Sequence, residues 1–221
     1  QQRRLGRDSQ RIRNFLRLLG ITLRSVIEGK ENRGATRTPK ISENIMKKFE
    51  VLDDVISVGY QDWIKDYMTS PVFPWFYMNN ITRDADNSSG GFSHLMYGPP
   101  NNANSGIESI MPVLFGVLGD KQPTELLRIR AAMFIKNQSG PDTTHHTPHR
   151  DRPKDYRPYK VMIYYVLDSD GTTGIFEGDE LIGEVEPKKG RVLLMDGDVL
   201  HASQCPKIHN QRIVINYNYR I

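Results

Sequence analysis

Seven short segments rich in Val, Ile, Leu and aromatic residues follow one another along the C-terminal part of the chain, from Leu126 to Tyr219. They are LLRIRAAMFI, KVMIYYVL, GIFEG, LIGEVE, GRVLLM, VLHASQ and RIVINYNY. Turn-forming residues such as Gly, Pro, Asp and Asn separate them, which is the pattern of short strands joined by tight turns. Strands this short close readily into two facing sheets. We therefore expect a β-sandwich or barrel of the jelly-roll type.

The residues before this run predict helices and loops that support it, after a first strand at residues 49–52. An apolar face at helical spacing follows that strand: Tyr60, Trp63, Ile64 and Tyr67. Asp53 or Asp54 is the expected N-cap of this helix. Residues 84–106 are rich in Asn, Ser, Gly and Pro and predict a loop, and residues 107–118 predict a second helix.

The charge of the chain is unevenly distributed. Residues 1–40 hold 11 lysines and arginines against three acids, a balance of +8, whereas the whole chain carries +4, so the remaining 181 residues carry −4. Residues 10–28 predict an amphipathic helix and residues 29–40 a linker. The helix could pack on its own domain, contact nucleic acid, an anionic membrane or another acidic partner, or act as a transit peptide. The acidic body argues against nucleic-acid binding by the protein as a whole.

Targeting and redox features are few. No apolar run approaches the length of a membrane span, and arginines interrupt the apolar residues near the start, unlike a secretory signal peptide. Cys205 is the one cysteine, so no internal disulfide can form. These features are compatible with the cytoplasm.

The segment HHTPHRDRP, at residues 145–153, suggests a metal site. In an extended segment, side chains two residues apart lie on the same face, so His149 and Asp151 can bind one ion together. His201, just after the turn DGD, is the best candidate for a third ligand. Two histidines and one carboxylate on one face of an octahedral ion form the facial triad of non-haem Fe(II) oxygenases, which leaves three positions open.

Two further histidines in the same segment allow other interpretations. His146 and His149 would suit zinc in another geometry, and either His145 or His146 could support the ligands from a second layer. We expect both His145 and His146 to be exposed loop residues.

Arginines near the predicted strands could serve a co-substrate. Arg212 lies eleven residues beyond His201, where a hairpin would bring it alongside, and its guanidinium could bind the far carboxylate of a dicarboxylate. Asn216 shares the face of Arg212 by the period of two. Arg128 and Arg130 alternate on one strand. An inward arginine there could touch a substrate, but we expect a solvated face.

The order of these residues resembles that of the 2-oxoglutarate- and Fe(II)-dependent dioxygenases. The pattern comprises HRD at 149–151, LH at 200–201 and Arg212. The segments KVMIYYVLDSDGTTGIF (160–176) and EPKKGRVLLMDGDVLHA (186–202) resemble those of prolyl-4-hydroxylase-like members. The resemblance covers roughly residues 126–221, with FEVLDDVIS (49–57) similar to the opening of such domains. Among the members of the family, phage-encoded and uncharacterised microbial proteins resemble this sequence most. For a phage-encoded protein, the expected cytoplasm would be that of the host.

The resemblance implies a mainly β fold with flanking helices (α+β), a double-stranded β-helix of jelly-roll or cupin-like type. The chain would divide into a basic extension (1–40) and a dioxygenase domain (41–221), with helical and loop support at 41–125 and the jelly-roll core at 126–221. It implies Fe(II) held by His149, Asp151 and His201, with 2-oxoglutarate bound by Arg212. Weaker candidates for contacts with 2-oxoglutarate are Asn137, Tyr164 and Asn216.

The implied reaction uses dioxygen, and optionally ascorbate, to convert 2-oxoglutarate to succinate and CO2 while a second substrate is hydroxylated. The substrate would be a peptide or protein side chain, with a small molecule as the other option. The basic segment at 150–160 favours an acidic or polyanionic substrate. The chain departs from the family in splitting the usual double glycine into Gly171 and Gly174. It also lacks the paired arginines of nucleic-acid demethylases, because the next arginine after Arg212 is Arg220.

Two other functions stay open. The first is a non-catalytic jelly-roll module that binds a metal or serves a structural or interaction role. The second is a cupin-like hydrolase or isomerase with zinc or another metal, which the HRD triplet disfavours because cupins pair their histidines as HxH.

Overall fold

The computed structural model describes residues 48–81, 90–98, 102–103, 106–136 and 145–221. Two predictions lie outside these residues: the basic extension at 1–40 and the co-substrate contact at Asn137. None of the helices in the described part of the chain is both long enough and apolar enough to cross a membrane.

The described residues form eleven strands, two α-helices and one 3-10 turn. The helices are α1 (Val58–Thr69) and α2 (Met111–Leu118), and the 3-10 turn spans Lys154–Tyr156. The strands are β1 (Phe49–Leu52), β2 (Phe76–Met78), β3 (Gly91–Gly98), β4 (Asn102–Ala103), β5 (Glu125–Ile135), β6 (Lys160–Tyr165), β7 (Thr173–Glu177), β8 (Glu180–Val185), β9 (Val192–Asp196), β10 (Leu200–Ser203) and β11 (Gln211–Arg220). The run of short strands predicted from Leu126 onward is confirmed.

Two antiparallel sheets face each other. The major sheet has eight strands in the order β1-β9-β6-β11-β5-β3-β2, with β4 paired to β3, and the minor sheet has the order β10-β7-β8. The segment that leads to His149 runs beside β10, where the backbone N–H groups of His149 and His201 each donate to the carbonyl of the other residue, at 3.0 and 3.1 Å. The predicted jelly roll with flanking helices is thereby confirmed.

Alternation along the strands of the major sheet separates two cores. On β11, Ile213, Ile215 and Tyr217 pack with residues of α1 and α2, on what we call the outer face. Val214 packs with residues of the minor sheet such as Ile175, on what we call the inner face. This period-two pattern lets one strand serve two environments.

The helices lie where the sequence predicts them, but their starts differ. Ser57 is the N-cap of α1, without a side-chain cap. Asp53 instead accepts hydrogen bonds from Arg191, at 2.8 and 3.0 Å, and Asp54 accepts one from Gln61 at 2.9 Å. Both carboxylates are therefore used in tertiary contacts that a local capping rule does not include.

One expectation about the supporting region is wrong. Residues 84–106 are predicted as loop, yet β3 occupies Gly91–Gly98 and lies between β5 and β2 in the major sheet. Most of its residues are buried, Ser93, His94 and Met96 among them. The glycines at both ends of this strand and the polar residues around it give the region the composition of a loop. Pairing with β5 nevertheless stabilises the strand. Strands β1 and β3 thus extend the major sheet into the region predicted as helical and loop support.

Candidate metal centre

The structure brings His149, Asp151 and His201 together at one end of the space between the sheets. Each offers a ligand atom, and these atoms all lie within 4.8 Å of one another. Nε2 of His201 is 3.8 Å from Oδ2 of Asp151, and the two imidazole rings are 5.0 Å apart between centroids. Two imidazoles and one carboxylate at this spacing suit a divalent transition metal such as Fe(II), Mn(II) or Zn(II).

Backbone carbonyls orient both imidazoles for metal binding. Nδ1 of His149 lies 3.1 Å from the carbonyl of Thr147, and Nδ1 of His201 lies 3.2 Å from that of Val199. A carbonyl only accepts, so each Nδ1 donates and each Nε2 keeps its lone pair for a metal. Burial lowers the pKa of His149 to about 4, helped by the charge of His201. The neutral ring, which is the form that binds metal, is thus the stable one at neutral pH.

Three donors hold the carboxylate of Asp151. Nη2 of Arg128 donates to Oδ1 at 2.8 Å, while the amides of Asn216 and Asn218 donate to Oδ2 at 2.9 and 3.0 Å. Burial by itself would raise the pKa of Asp151, but the charge of Arg128 and those of the two histidines hold it well below its usual range. The hydrogen bonds to both oxygens fix the orientation of the carboxylate, and Oδ2 is the oxygen that lies near Nε2 of His201.

The role of Arg128 was not anticipated from the sequence. Arg128 and Arg130 are predicted on a solvated face, but both lie on the inner side of β5. Arg130 donates to Ser93 Oγ and to the carbonyl of Ile81, at 2.7 Å each. The period of two carries the information that was missed, because these arginines share a face with Ala132 and Phe134, which are buried in the inner core.

Arg212 lies deep on the inner face with unused donors. Its side chain is 1% exposed, and its Nη2 donates to Thr173 Oγ1 at 2.6 Å, which also accepts from Tyr165 at 2.7 Å. Nε and Nη1 of Arg212 are buried and have no hydrogen-bond partner among the described residues. Buried guanidinium N–H groups without an acceptor are rare and costly. A carboxylate of a bound molecule would supply the kind of acceptor that these donors lack.

The other predicted co-substrate contacts fall in different places. Tyr164 lies on the outer face, in the core shared with the helices, and is not brought to Arg212. Its neighbour Tyr165 is the residue that faces the inner side and bonds Thr173, so the prediction is one residue out of register. Asn216 shares the face of Arg212 as predicted, but its amide donates to Asp151.

His145 and His146 are not exposed loop residues, contrary to expectation. His146 is 4% exposed, and its ring contacts Ser203 Oγ at 3.1 Å and Cys205 Sγ at 3.6 Å. Nε2 of His145 lies 2.9 Å from Thr172 Oγ1. The segment is buried because its backbone runs beside β10, where the N–H of His146 donates to the carbonyl of Ser203. Within the described residues, neither His145 nor His146 belongs to a group arranged for a metal.

Comparisons with known proteins bear on the fold. No protein-family model matches the sequence, and no curated protein matches it significantly. Among solved structures, an oxidoreductase of the 2OG-Fe(II) oxygenase family from Burkholderia pseudomallei is similar with a TM-score of 0.57 and 11% identity. That likeness covers 79% of this chain and 86% of the other.

Two prolyl hydroxylases are also similar in structure. One, from Trichoplax adhaerens, is in complex with a peptide fragment of the hypoxia inducible factor oxygen degradation domain. It is 15% identical, with a TM-score of 0.53, over 80% of this chain and 86% of that one. The other is the viral collagen prolyl hydroxylase of Paramecium bursaria Chlorella virus 1, in complex with 2OG. It is 14% identical, with a TM-score of 0.51, and the likeness covers 81% of this chain and 99% of the viral one. The chain therefore has the jelly-roll fold of the 2OG-Fe(II) oxygenases.

Proposed function

We propose that this protein is an Fe(II)- and 2-oxoglutarate-dependent oxygenase that hydroxylates a second substrate and releases succinate and CO2. One observation carries the proposal. A His-Asp-His group and a buried arginine both lie between the two sheets of a fold that such oxygenases share, and two N–H groups of the arginine lack a partner among the described residues. A metal-binding module without catalysis would not need, as well, a buried arginine that has no carboxylate partner among the described residues.

The residues have separate roles in this proposal. His149, Asp151 and His201 would hold Fe(II), which when bound supplies the redox chemistry that joins dioxygen to 2-oxoglutarate. Arg128 would hold the carboxylate of Asp151 in place and keep it ionised for the metal. Arg212 would bind the distal carboxylate of 2-oxoglutarate.

Residues around Arg212 support the same assignment. The hydroxyls of Thr173 and Tyr165 fix one side of the guanidinium. The rings of Phe134 and Tyr165 lie 5.0 and 5.7 Å from its central carbon, which excludes water from the surroundings of the bound carboxylate. An arginine in such a low-dielectric place binds an anion more strongly than an exposed one does.

For the second substrate we propose a peptide or protein side chain, in the manner of a prolyl hydroxylase. The support is the structural likeness to two prolyl hydroxylases, one of which holds a peptide. The cytoplasm is the proposed location, and the boundary between the basic extension and the domain near residue 41 stays a prediction.

Succinate formation tests the reaction class. Purified protein is incubated with Fe(II), 2-oxoglutarate, ascorbate and air without a second substrate, because oxygenases of this class can turn over slowly uncoupled. We expect succinate from the wild type and from the control variant His209→Ala, and none from His201→Ala. Absence of succinate together with absence of Mn(II)-dependent binding of 2-oxoglutarate would refute the proposal and favour the binding module.

A further inference from the structure

A short basic segment follows the metal ligand Asp151 directly. Residues 150–160, RDRPKDYRPYK, hold five cations and two acids. Arg150 donates to the carbonyl of Asp198, and Lys160 pairs with the carboxylate of Asp196. Arg152 and Arg157 differ from these two residues because their guanidinium groups have no such partner in the described part of the chain.

Arg152 and Arg157 are half-buried cations with unused donors. Nε of each is shielded from solvent and has no hydrogen-bond partner in the described part of the chain. No described carboxylate lies within ion-pair distance of either guanidinium, and the central carbon of Arg152 lies 3.9 Å above the ring of Tyr156. Stacking fixes the plane of a guanidinium and leaves its edge available, which is the arrangement that binds a planar anion.

These two arginines lie next to the metal centre. The backbone N–H of Arg152 donates to the hydroxyl of Tyr159 at 3.1 Å. Burial raises the pKa of Tyr159, and the charges of Asp151 and Arg157 also act on its hydroxyl, which places all three groups in one neighbourhood. The ring of Tyr159 packs on Gly197, where a Cβ would lie 2.4 Å from it, in the turn that leads to His201.

Arg152 and Arg157 are distinct from the proposed co-substrate site. Arg212 is 1% exposed and closed in by aromatic rings, as a small dicarboxylate requires. Arg152 and Arg157 are partly exposed, so a larger molecule can reach them. The negative balance of residues 41–221 argues against a long polyanion such as nucleic acid, whose binding requires an extended positive surface.

We infer that Arg152 and Arg157 form a subsite for a carboxylate side chain of the peptide substrate, close to the residue that is hydroxylated. The inference rests on the proposed function for the peptide, and it names the substrate class: a peptide segment with Asp or Glu near the target residue. The forked donors of each arginine match a carboxylate, and charge-assisted hydrogen bonds supply the specificity.

Paramagnetic broadening tests this subsite without turnover. The full-length protein is loaded with Mn(II) and saturated with 2-oxoglutarate, which occupies Arg212, and hexaglutamate peptide is the probe. We expect Mn(II) to broaden the proton resonances of the peptide, whereas Zn(II)-loaded protein does not. The double variant Arg152→Gln/Arg157→Gln should weaken binding at least about tenfold. A hexaglutamine peptide should show no broadening.

A matched double variant controls for net charge. Lys65→Gln/Lys188→Gln removes two exposed cations from the helix side of the molecule and should leave the broadening unchanged. Equal loss in both double variants, no broadening in the wild type, or stronger binding of a phosphoserine peptide of equal charge would each overturn the carboxylate subsite. Mn(II) affinity and the unfolding midpoint of each variant confirm that it is folded. The experiment measures peptide binding and not succinate formation. A negative result would therefore refute the carboxylate subsite without refuting the oxygenase proposal.

Discussion

The two faces of the major sheet are built from the same strands, but the inner face adds buried charged and polar residues to its apolar ones. On the outer face, Ile213, Ile215 and Tyr217 of β11 pack on the helices, and the hydroxyl of Tyr217 donates to the carbonyl of Ile110 at 2.8 Å. On the inner face, the same strand presents Arg212 and Asn218.

The difference separates stability from function. The outer face gains free energy from apolar burial, and its packing requires only shape and hydrophobicity. The inner face buries charged groups that cost free energy, and some of their donors have no partner within the described protein. A cost in stability of this kind is tolerated where a bound ligand offsets it.

The largest effect on stability should come from the outer face. Leu114→Ala, in α2, removes a fully buried side chain. We expect the free energy of unfolding to fall by about 2–5 kcal/mol through lost burial and a cavity. Denaturant unfolding measures this, and Mn(II) affinity under folding conditions should stay at the wild-type value. A large loss of Mn(II) affinity in the folded variant would show that the faces are not independent.

Acid should destabilise the inner face through His146. Burial lowers the pKa of His146 to about 4, with the charge of Arg212 as the next cause. The unfolded chain, in which a histidine has its ordinary pKa near 6.5, therefore binds the proton first as pH falls. Stability should drop between about pH 6.5 and pH 4, by up to about 3 kcal/mol from this residue, and no further below. Unfolding with EDTA should show a shallower pH slope in His146→Gln, and equal slopes would contradict this origin.

Arg128 should matter for the metal more than its neighbour on the same strand. Arg128→Met removes the donor to Asp151 Oδ1, and we expect Mn(II) affinity to fall about 10- to 100-fold, as for other residues that orient a metal ligand. Arg128→Lys should recover part of the loss. The control is Arg130→Lys, whose parent residue bonds Ser93 instead. Calorimetry measures the Mn(II) affinity of the three variants. Wild-type affinity in Arg128→Met would show that Arg128 does not contribute to metal binding.

The smallest effect on stability is expected at Arg212. Arg212→Met keeps the length of the side chain and removes a buried charge that lacks a carboxylate partner within the described residues. The free energy of unfolding should therefore stay within about 1 kcal/mol of the wild type or rise. A large destabilisation would mean that Arg212 is chiefly structural.

Local patterns in the sequence predict much of this architecture. The strands from β5 to β11 follow from short apolar segments bounded by turn formers, and the pairing of His149 with Asp151 follows from their period-two spacing. His201 completed the expected ligand set, and the structure places this set and Arg212 between the two sheets.

The errors share a physical origin in contacts between distant residues. Tyr164 and Tyr165 are alike in sequence, and only the packing of the helices decides which of them faces outward. Arg128 meets Asp151 across 23 residues. Strand β3 is stabilised by its neighbour β5 and not by its own composition. Period-two alternation identifies the residues that share a face, but it does not tell which face is the functional one.

Binding of 2-oxoglutarate to the Mn(II)-loaded protein tests most directly whether the inner face is a site for a metal and a dicarboxylate. We predict binding to the wild type and to Arg130→Lys, and affinity at least about 30-fold lower in Arg212→Met, with Mn(II) affinity unchanged. Equal affinity for 2-oxoglutarate in the wild type and Arg212→Met would contradict the account, because the donors of Arg212 that lack a partner among the described residues would then have no role in binding.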